Sequence, residues 1–205
     1  MELSIRGIRI LWIKMWVLRI PEAENEHNLE RIAGSKEISM FTKGEYIIYG
    51  NKGVCQVKDI TTVNMEGVPA DRLYYLLEPK YSPGSQVLTP VDNTKVIMRA
   101  LISREEAETL IRDIHEVEEL TVVSEKLREQ TYKECMRKGQ CLEYLRMIKT
   151  LYNRKKSRLA IGKKSTSTDD RYMKLAEDAL YSELSQQLEI PKAEMPAYIR
   201  GVLEG

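Results

Sequence analysis

The chain has 205 residues, of which 42% are hydrophobic and 31% charged, and its formal net charge is +1. This composition is typical of a soluble globular protein and excludes an intrinsically disordered one. The length accommodates one large domain or two small ones. No stretch approaches the about 18 apolar residues that a membrane span needs, so we expect no membrane partner. The three cysteines and two histidines lack ligand spacing, which predicts no metal site and a reducing, cytoplasmic location.

Residues 1–39 do not resemble the rest of the chain. Residues 5–20 mix large apolar side chains with four basic ones, unlike the uninterrupted apolar core of a secretory signal. Lys36-Glu37 can be encoded as a ribosome-binding site two codons ahead of Met40. We therefore predict a non-conforming leader, either upstream sequence or disordered, with the native start at Met40. The alternative is a basic amphipathic membrane helix within residues 5–20.

Short segments rich in β-branched and aromatic residues follow, separated by turns that contain glycine, asparagine or proline. The predicted strands span residues 45–49, 54–62, 72–77, 86–89 and 95–98. Five strands in so short a stretch indicate an SH3- or Tudor-like small β-barrel over residues 40–98. Its balanced charges argue against DNA binding. The edge strands of such a barrel can instead pair with a strand of another protein.

The apolar period then changes from 2 to 3.6, which predicts a compact all-α C-terminal domain of four to five helices over residues 99–205. The overall fold class is therefore α+β. Ser103 and Glu106 are spaced as a capping box for the first helix. An acidic connection is predicted at 115–124, and Gly139 is expected to end the second helix. Ser167 or Thr168 is expected to cap the fourth helix.

The third predicted helix, from residue 142 to about 162, carries the strongest functional signal. Its predicted buried stripe consists of Leu142, Leu145, Ile148, Tyr152 and Leu159, widened by Met147 and Leu151, so the tyrosine is interpreted as core and not as a base-stacking group. Thirteen bases and three acids lie between residues 126 and 164, a charge that fits a phosphate partner and, equally well, a solvated helix face. The predicted DNA-binding residues are Arg128, Lys133, Arg137, Lys138, Arg146, Lys149, Arg154, Lys155, Lys156, Arg158, Lys163 and Lys164.

Enzyme motifs are missing from the sequence. It contains no GxGxxG, GxxxxGK[ST] or GxSxG, and two isolated histidines cannot support a catalytic triad. Most carboxylates lie in charge-rich helical segments, where solvation explains them. We therefore expect no enzyme activity, no cofactor and no small-molecule substrate.

Several short motifs together resemble the CarD/CdnL family of bacterial RNA-polymerase-binding regulators, in its Firmicutes (clostridial) form. They occur in order between residue 40 and about residue 203. The motifs are Phe41-x-x-Gly44, Tyr49-x-x-x-Gly53-Val54, Tyr74-Tyr75-x-Leu77, Pro90-Val91-Asp92-Asn93, Ile148-Lys149-Thr150-Leu151-Tyr152 with Lys155-Lys156, Gly162-Lys163-Lys164, and Ala176-Glu177 followed by Leu180 and Glu183.

The resemblance implies a Tudor-like domain that pairs strand to strand with the RNA polymerase β subunit, and a helical domain that contacts promoter DNA at the upstream edge of the bubble. The usual outcome in the family is a more stable open complex. Where many relatives have basic residues in the β-subunit contact, this chain has Val63 and Leu88, so main-chain pairing would dominate. The implied polymerase-binding residues are Thr61, Thr62, Val63, Asn64, Met65, Gln86, Val87, Leu88 and Thr89.

Many family members also carry a tryptophan wedge before the second helix, and this chain has no tryptophan after Trp16. Val122 or Val123 would have to substitute. We therefore predict a non-enzymatic transcription regulator that is monomeric when free, nucleoid-associated through RNA polymerase, and bound to DNA mainly by phosphate contacts. The alternative is an SH3-like module that binds RNA or ribosomes through the same cations.

Overall fold

Alternating apolar residues build the strands of the first half, and helical apolar periods build the second. The computed structural model describes residues 41–63, 71–122 and 124–204. The predictions on the leader, on Asn64 and Met65, and on Val123 lie outside these residues. The described chain is α+β. Its strands are β1 Tyr46–Tyr49, β2 Gly53–Thr62, β3 Leu73–Pro79, β4 Val87–Pro90 and β5 Met98–Ala100.

The strands form one antiparallel sheet in the order β4-β3-β2-β1-β5. This sheet is open, because its outer strands β4 and β5 do not pair with each other, so the predicted SH3- or Tudor-like barrel is not confirmed. The fifth strand begins later than predicted. The Lys95 amide donates to the Asn93 side chain at 2.9 Å, and the Ile97 carbonyl accepts from Gly50 at 2.9 Å, which keeps residues 95–97 in a turn.

The central strands of the sheet share a small core on one face, and Ile48 and Val54 are buried on the other face. Ile47, Cys55, Val57, Tyr75 and Leu77 form this small core, and burial raises the pKa of the Cys55 thiol to about 11. The register of β2 on β3 shifts just after Val57, which is a bulge that bends the strand.

Five α-helices follow within the described residues. They are α1 Arg104–Arg112, α2 Arg128–Lys138, α3 Cys141–Ala160, α4 Ser167–Leu188 and α5 Met195–Glu204. The capping box is confirmed, since Ser103 Oγ accepts from the Glu106 amide at 3.1 Å and the Glu106 carboxylate accepts from the Ser103 amide at 2.7 Å. Gly139 ends α2 with a φ of 65°. The cap of α4 is Thr166, one residue before the predicted pair, because its hydroxyl accepts from the Asp169 amide.

The core-facing side of α3 agrees with the predicted stripe only in part. Of the predicted residues, Leu145, Met147 and Leu151 are buried, and Tyr144 is buried beside them. Leu142, Tyr152 and Leu159 are instead 47%, 59% and 57% exposed. The helical period is therefore confirmed, but the buried face is centred near Met147 and Leu151 and not on the line of Leu142 and Tyr152. The fully covered part of the helix ends at Leu151.

A buried ion pair ties the sheet to the helices. Glu183 on α4 is fully buried and accepts two hydrogen bonds from the Arg99 guanidinium of β5, at 2.6 and 2.7 Å. The same carboxylate accepts from the Ile102 amide at 3.0 Å and the Cys141 thiol at 3.0 Å. Arg99 also donates to the Gly139 carbonyl at 2.7 Å. One charge pair therefore joins β5, the start of α1, and helices α2 to α4.

Candidate interaction surfaces

The first half of α3 is overlaid by the connection between α1 and α2. Lys149 Nζ donates to the carbonyls of His115 and Val117 at 2.8 and 2.6 Å, and the Leu120 amide donates to Thr150 Oγ1 at 2.8 Å. These bonds satisfy backbone groups of a segment that has no regular structure of its own. The connection therefore occupies a side of α3 that the charge pattern alone assigns to an external ligand.

Glu143 holds two of the predicted DNA-binding cations. Its nearly buried carboxylate pairs with Lys138 Nζ at 2.8 Å and with Arg146 Nη1 at 3.1 Å. Burial opposes ionisation of this carboxyl, but the two cationic donors outweigh it and keep the pKa of Glu143 below its ordinary value. Both cations are thus committed to an internal partner.

A second acid cluster holds two arginines at the junction of α2, α3 and α4. Arg154 donates to Asp169 at 3.1 Å and to both oxygens of Glu125 at 2.7 and 2.9 Å. Arg128 pairs with the same two acids. The bond from Arg154 is the largest influence that keeps the pKa of Glu125 below its ordinary value. Asp169 also lies in the first turn of α4, where a negative charge favours the helix dipole.

The twelve predicted DNA-binding residues therefore fall into two sets. Seven are bonded to acids or carbonyls within the described chain: Arg128, Lys133, Lys138, Arg146, Lys149, Arg154 and Arg158. The other five have side chains that make no hydrogen bond or ion pair to another described residue, and these are Arg137, Lys155, Lys156, Lys163 and Lys164. Only the second set offers an uncommitted positive surface.

The candidate wedge is described only in part. Val122 is half-buried in the connection that leads to α2, and Val123 lies outside the described residues. Glu125, three residues after Val122, pairs with Arg154. The segment that holds Val122 is therefore bonded to α3. This attachment would restrain the backbone of Val122 if its side chain were inserted into DNA.

The predicted polymerase-binding residues lie at two places in the sheet. Val87, Leu88 and Thr89 are in β4, which pairs with β3 and with no other described strand, so its outer edge is unpaired. Leu88 is 44% exposed, whereas Thr89 is buried and accepts from the Asn93 side chain at 2.8 Å. Gln86 is exposed and immediately precedes the strand.

Thr61 and Thr62 end β2, where they pair with Tyr74 and Leu73 of β3. Since β2 and β4 lie on opposite sides of β3, the sheet does not join the two predicted segments into one edge. Val63 follows β2 and is half-buried. The unpaired edge of β4 is therefore the place in the sheet where a foreign strand could add directly.

Sequence reasoning missed two features of these surfaces. It placed Tyr152 and Leu159 in the core, although both are more than half exposed. It also gave no structural role to Glu183, which lies between the core residues Leu180 and Leu184. A carboxylate at a core-facing helical position is a signal for a buried cationic partner. The partner, Arg99, is 84 residues away in the chain and could not be chosen from sequence alone.

Within the described residues, no group of three His, Cys, Asp or Glu side chains is arranged to hold a metal ion. No helix described in residues 41–204 is both long and apolar enough to cross a membrane.

Residues 41–102 match the family model described as the CarD-like/TRCF RID domain. No curated protein matches the chain. The matched range begins before β1, contains the whole sheet and ends just before α1, so α1 to α5 lie beyond it. The match shows that the sheet-containing part of the chain is similar to this domain.

Proposed function

We propose that this protein is a non-enzymatic transcription regulator that binds the RNA polymerase β subunit through its sheet and promoter DNA through the outer surface of its helices. The observation that carries the proposal is the match of residues 41–102 to the CarD-like/TRCF RID domain, a domain that interacts with the polymerase β subunit. The open, antiparallel sheet supports it, because an unpaired edge can accept a strand from a partner.

The β-subunit contact is proposed to centre on β4. A strand added to its outer edge would gain main-chain hydrogen bonds, and the exposed Leu88 would provide an apolar contact beside them. In this proposal the sheet is the Tudor-like domain of the family, although its five described strands remain open. The implied contacts at Thr61, Thr62 and Val63 would then come from a partner segment that crosses the sheet.

The DNA contact is proposed to rest on the five uncommitted cations, with a wedge at Val122 or Val123. Few free cations give weak affinity for DNA alone, and attachment to polymerase would supply the missing effective concentration. The buried pair of Arg99 and Glu183 would hold the sheet and the helices in one orientation while both contacts form. The resulting complex would alter open-complex stability, with the protein acting as a monomer at the nucleoid.

A pull-down with the full-length chain tests the proposal. After nuclease treatment, the wild-type chain is expected to retain the polymerase β subunit, and Leu88→Glu is expected to release it because a charge then lies beside the docking edge. Leu175→Glu is a matched control, since Leu175 is 46% exposed on α4, away from the sheet edge. Retention of ribosomal RNA without the β subunit would instead favour an RNA-binding module.

A further inference from the structure

The second half of α3 exposes apolar side chains among its cations. Tyr152, Lys155, Lys156 and Leu159 lie at spacings of three, four and seven residues, so they share one helix face. The aromatic ring and the leucine are 59% and 57% exposed, and Ile161 is 67% exposed just after the helix. Exposed apolar side chains that lie together on one face and are rimmed by charged residues mark a binding site.

This exposure increases where the connection makes its last contacts with α3. Leu145 and Thr150, in the first half of α3, are buried, and the last bonds to the connection run from Asn153 Nδ2 to Glu119 at 2.7 Å and from Arg154 to Glu125 at 2.7 and 2.9 Å. Beyond Arg154, α3 continues to Ala160, about 9 Å at 1.5 Å per residue. The second half of α3 therefore presents apolar and basic side chains that the connection does not cover.

The local positive charge favours a polyanion as the ligand of this face. Residues 152–164 contain six bases and no acid. Arg154 and Arg158 are bonded internally, which leaves four exposed lysines. The acid that faces Lys155 is Glu177 of α4, a half-buried carboxyl whose pKa is raised by burial. Lys156 faces no described acid, so a phosphate chain is the complementary ligand.

We propose that Tyr152, Lys155, Lys156 and Leu159 form a platform for single-stranded nucleic acid. The ring and the leucine contact base faces, and the lysines contact the flanking phosphates. Single-strand sites combine a stacking aromatic group with a basic track in this way. Seven residues of helix separate Tyr152 from Leu159, about 10 Å, which spans about three stacked nucleotides.

Double-stranded DNA offers phosphates, but its base faces are stacked on one another. A duplex would therefore contact the lysines and not the Tyr152 ring. This distinguishes a single-strand platform from general backbone binding. The inference deepens the proposed function, because a melted promoter offers single strands. It is nevertheless testable without polymerase, so it can fail while β-subunit binding survives.

The test compares a labelled 12-nucleotide DNA as a single strand and as a duplex, with the full-length chain, by fluorescence anisotropy. Tyr152→Ala is expected to weaken single-strand binding about 5- to 150-fold, the range seen when stacking aromatic side chains are removed, and to change duplex binding less than twofold. Tyr152→Phe keeps the ring and is expected to stay within about threefold of wild type. Leu175→Ala is a control for loss of an exposed apolar group elsewhere.

Since Tyr152 is exposed, its variants are expected to unfold at the wild-type temperature, which circular dichroism checks. Tyr152→Ala with unchanged single-strand affinity, or with equal losses for both DNA forms, would overturn the platform. Tyr152-dependent binding to anionic lipid vesicles without single-strand binding would also overturn it, in favour of a membrane surface. Such a result alongside intact β-subunit retention would leave the proposed function standing.

Discussion

The two halves of α3 both carry cations and have different surroundings. Residues 141–151 are packed against α4 and crossed by the connection, and their cations Arg146 and Lys149 bond to Glu143 and to carbonyls. Residues 152–160 carry four more cations, and their Tyr152 and Leu159 are exposed. A high density of cations alone therefore does not identify an interaction surface. What matters is whether the described chain already supplies a partner for each cation.

The largest effect is expected where a held cation loses its buried partner. Glu183→Ala leaves the Arg99 guanidinium without its carboxylate in a mostly buried position. We expect a loss of about 3–5 kcal/mol in the free energy of unfolding, measured by urea denaturation. Glu194→Ala removes an exposed carboxylate and is expected to change it by less than about 0.5 kcal/mol. Equal values for the two variants would refute a structural role for the pair.

The leucines of α3 give a second comparison, between a buried side chain in the first half of the helix and an exposed one in the second half. Leu151→Ala removes a buried side chain from the core and is expected to cost about 2–5 kcal/mol of unfolding free energy. Leu159→Ala changes an exposed one and is expected to cost less than about 0.5 kcal/mol. Thermal unfolding followed by circular dichroism measures both. A large loss for Leu159→Ala would mean that the second half of the helix is covered after all.

Within the second half of α3, the held cation Arg154 and the uncommitted cation Lys156 should also differ. Arg154→Met breaks the bonds to Asp169 and Glu125, so we expect a loss of about 1–2 kcal/mol in unfolding free energy, reduced from a fully buried pair because the arginine is partly exposed. Lys156→Met removes a cation with no described partner and is expected to leave stability unchanged. Urea denaturation of the two matched variants decides this, and a similar loss for both would contradict the division into held and uncommitted cations.

The smallest expected effect is on the free energy of unfolding at low pH. Because Lys138 and Arg146 keep the pKa of Glu143 below its ordinary value of 4.5, its ionised form stabilises the folded chain above that pH. This contribution is lost as the pH falls through the lower folded-state pKa. The difference in unfolding free energy between wild type and Glu143→Gln is therefore expected to shrink below pH 4.5. A difference that is constant with pH would show that Glu143 is not held in this way.

Local rules predicted the strands, the capping box of α1 and the left-handed end of α2 at Gly139, because each depends on neighbouring residues. The centre of the buried face of α3 was missed, since that choice depends on which side α4 packs against. The ties of Arg99 to Glu183 and of Arg154 to Asp169 join distant segments, so sequence spacing could not supply them. Seven of the twelve predicted DNA-binding residues consequently looked available, although they are bonded to acids or carbonyls of the described chain.

The most direct test of the account is the salt dependence of binding to RNA polymerase on promoter fork DNA. Lys155→Ala with Lys156→Ala is expected to reduce the slope of log K against log salt by about 2, because each lost phosphate contact removes about 0.9. Arg154→Met is expected to leave the slope unchanged, since that arginine is bonded internally. An unchanged slope for the lysine pair, or an equal reduction for Arg154→Met, would contradict the claim that the uncommitted cations of α3 meet the DNA.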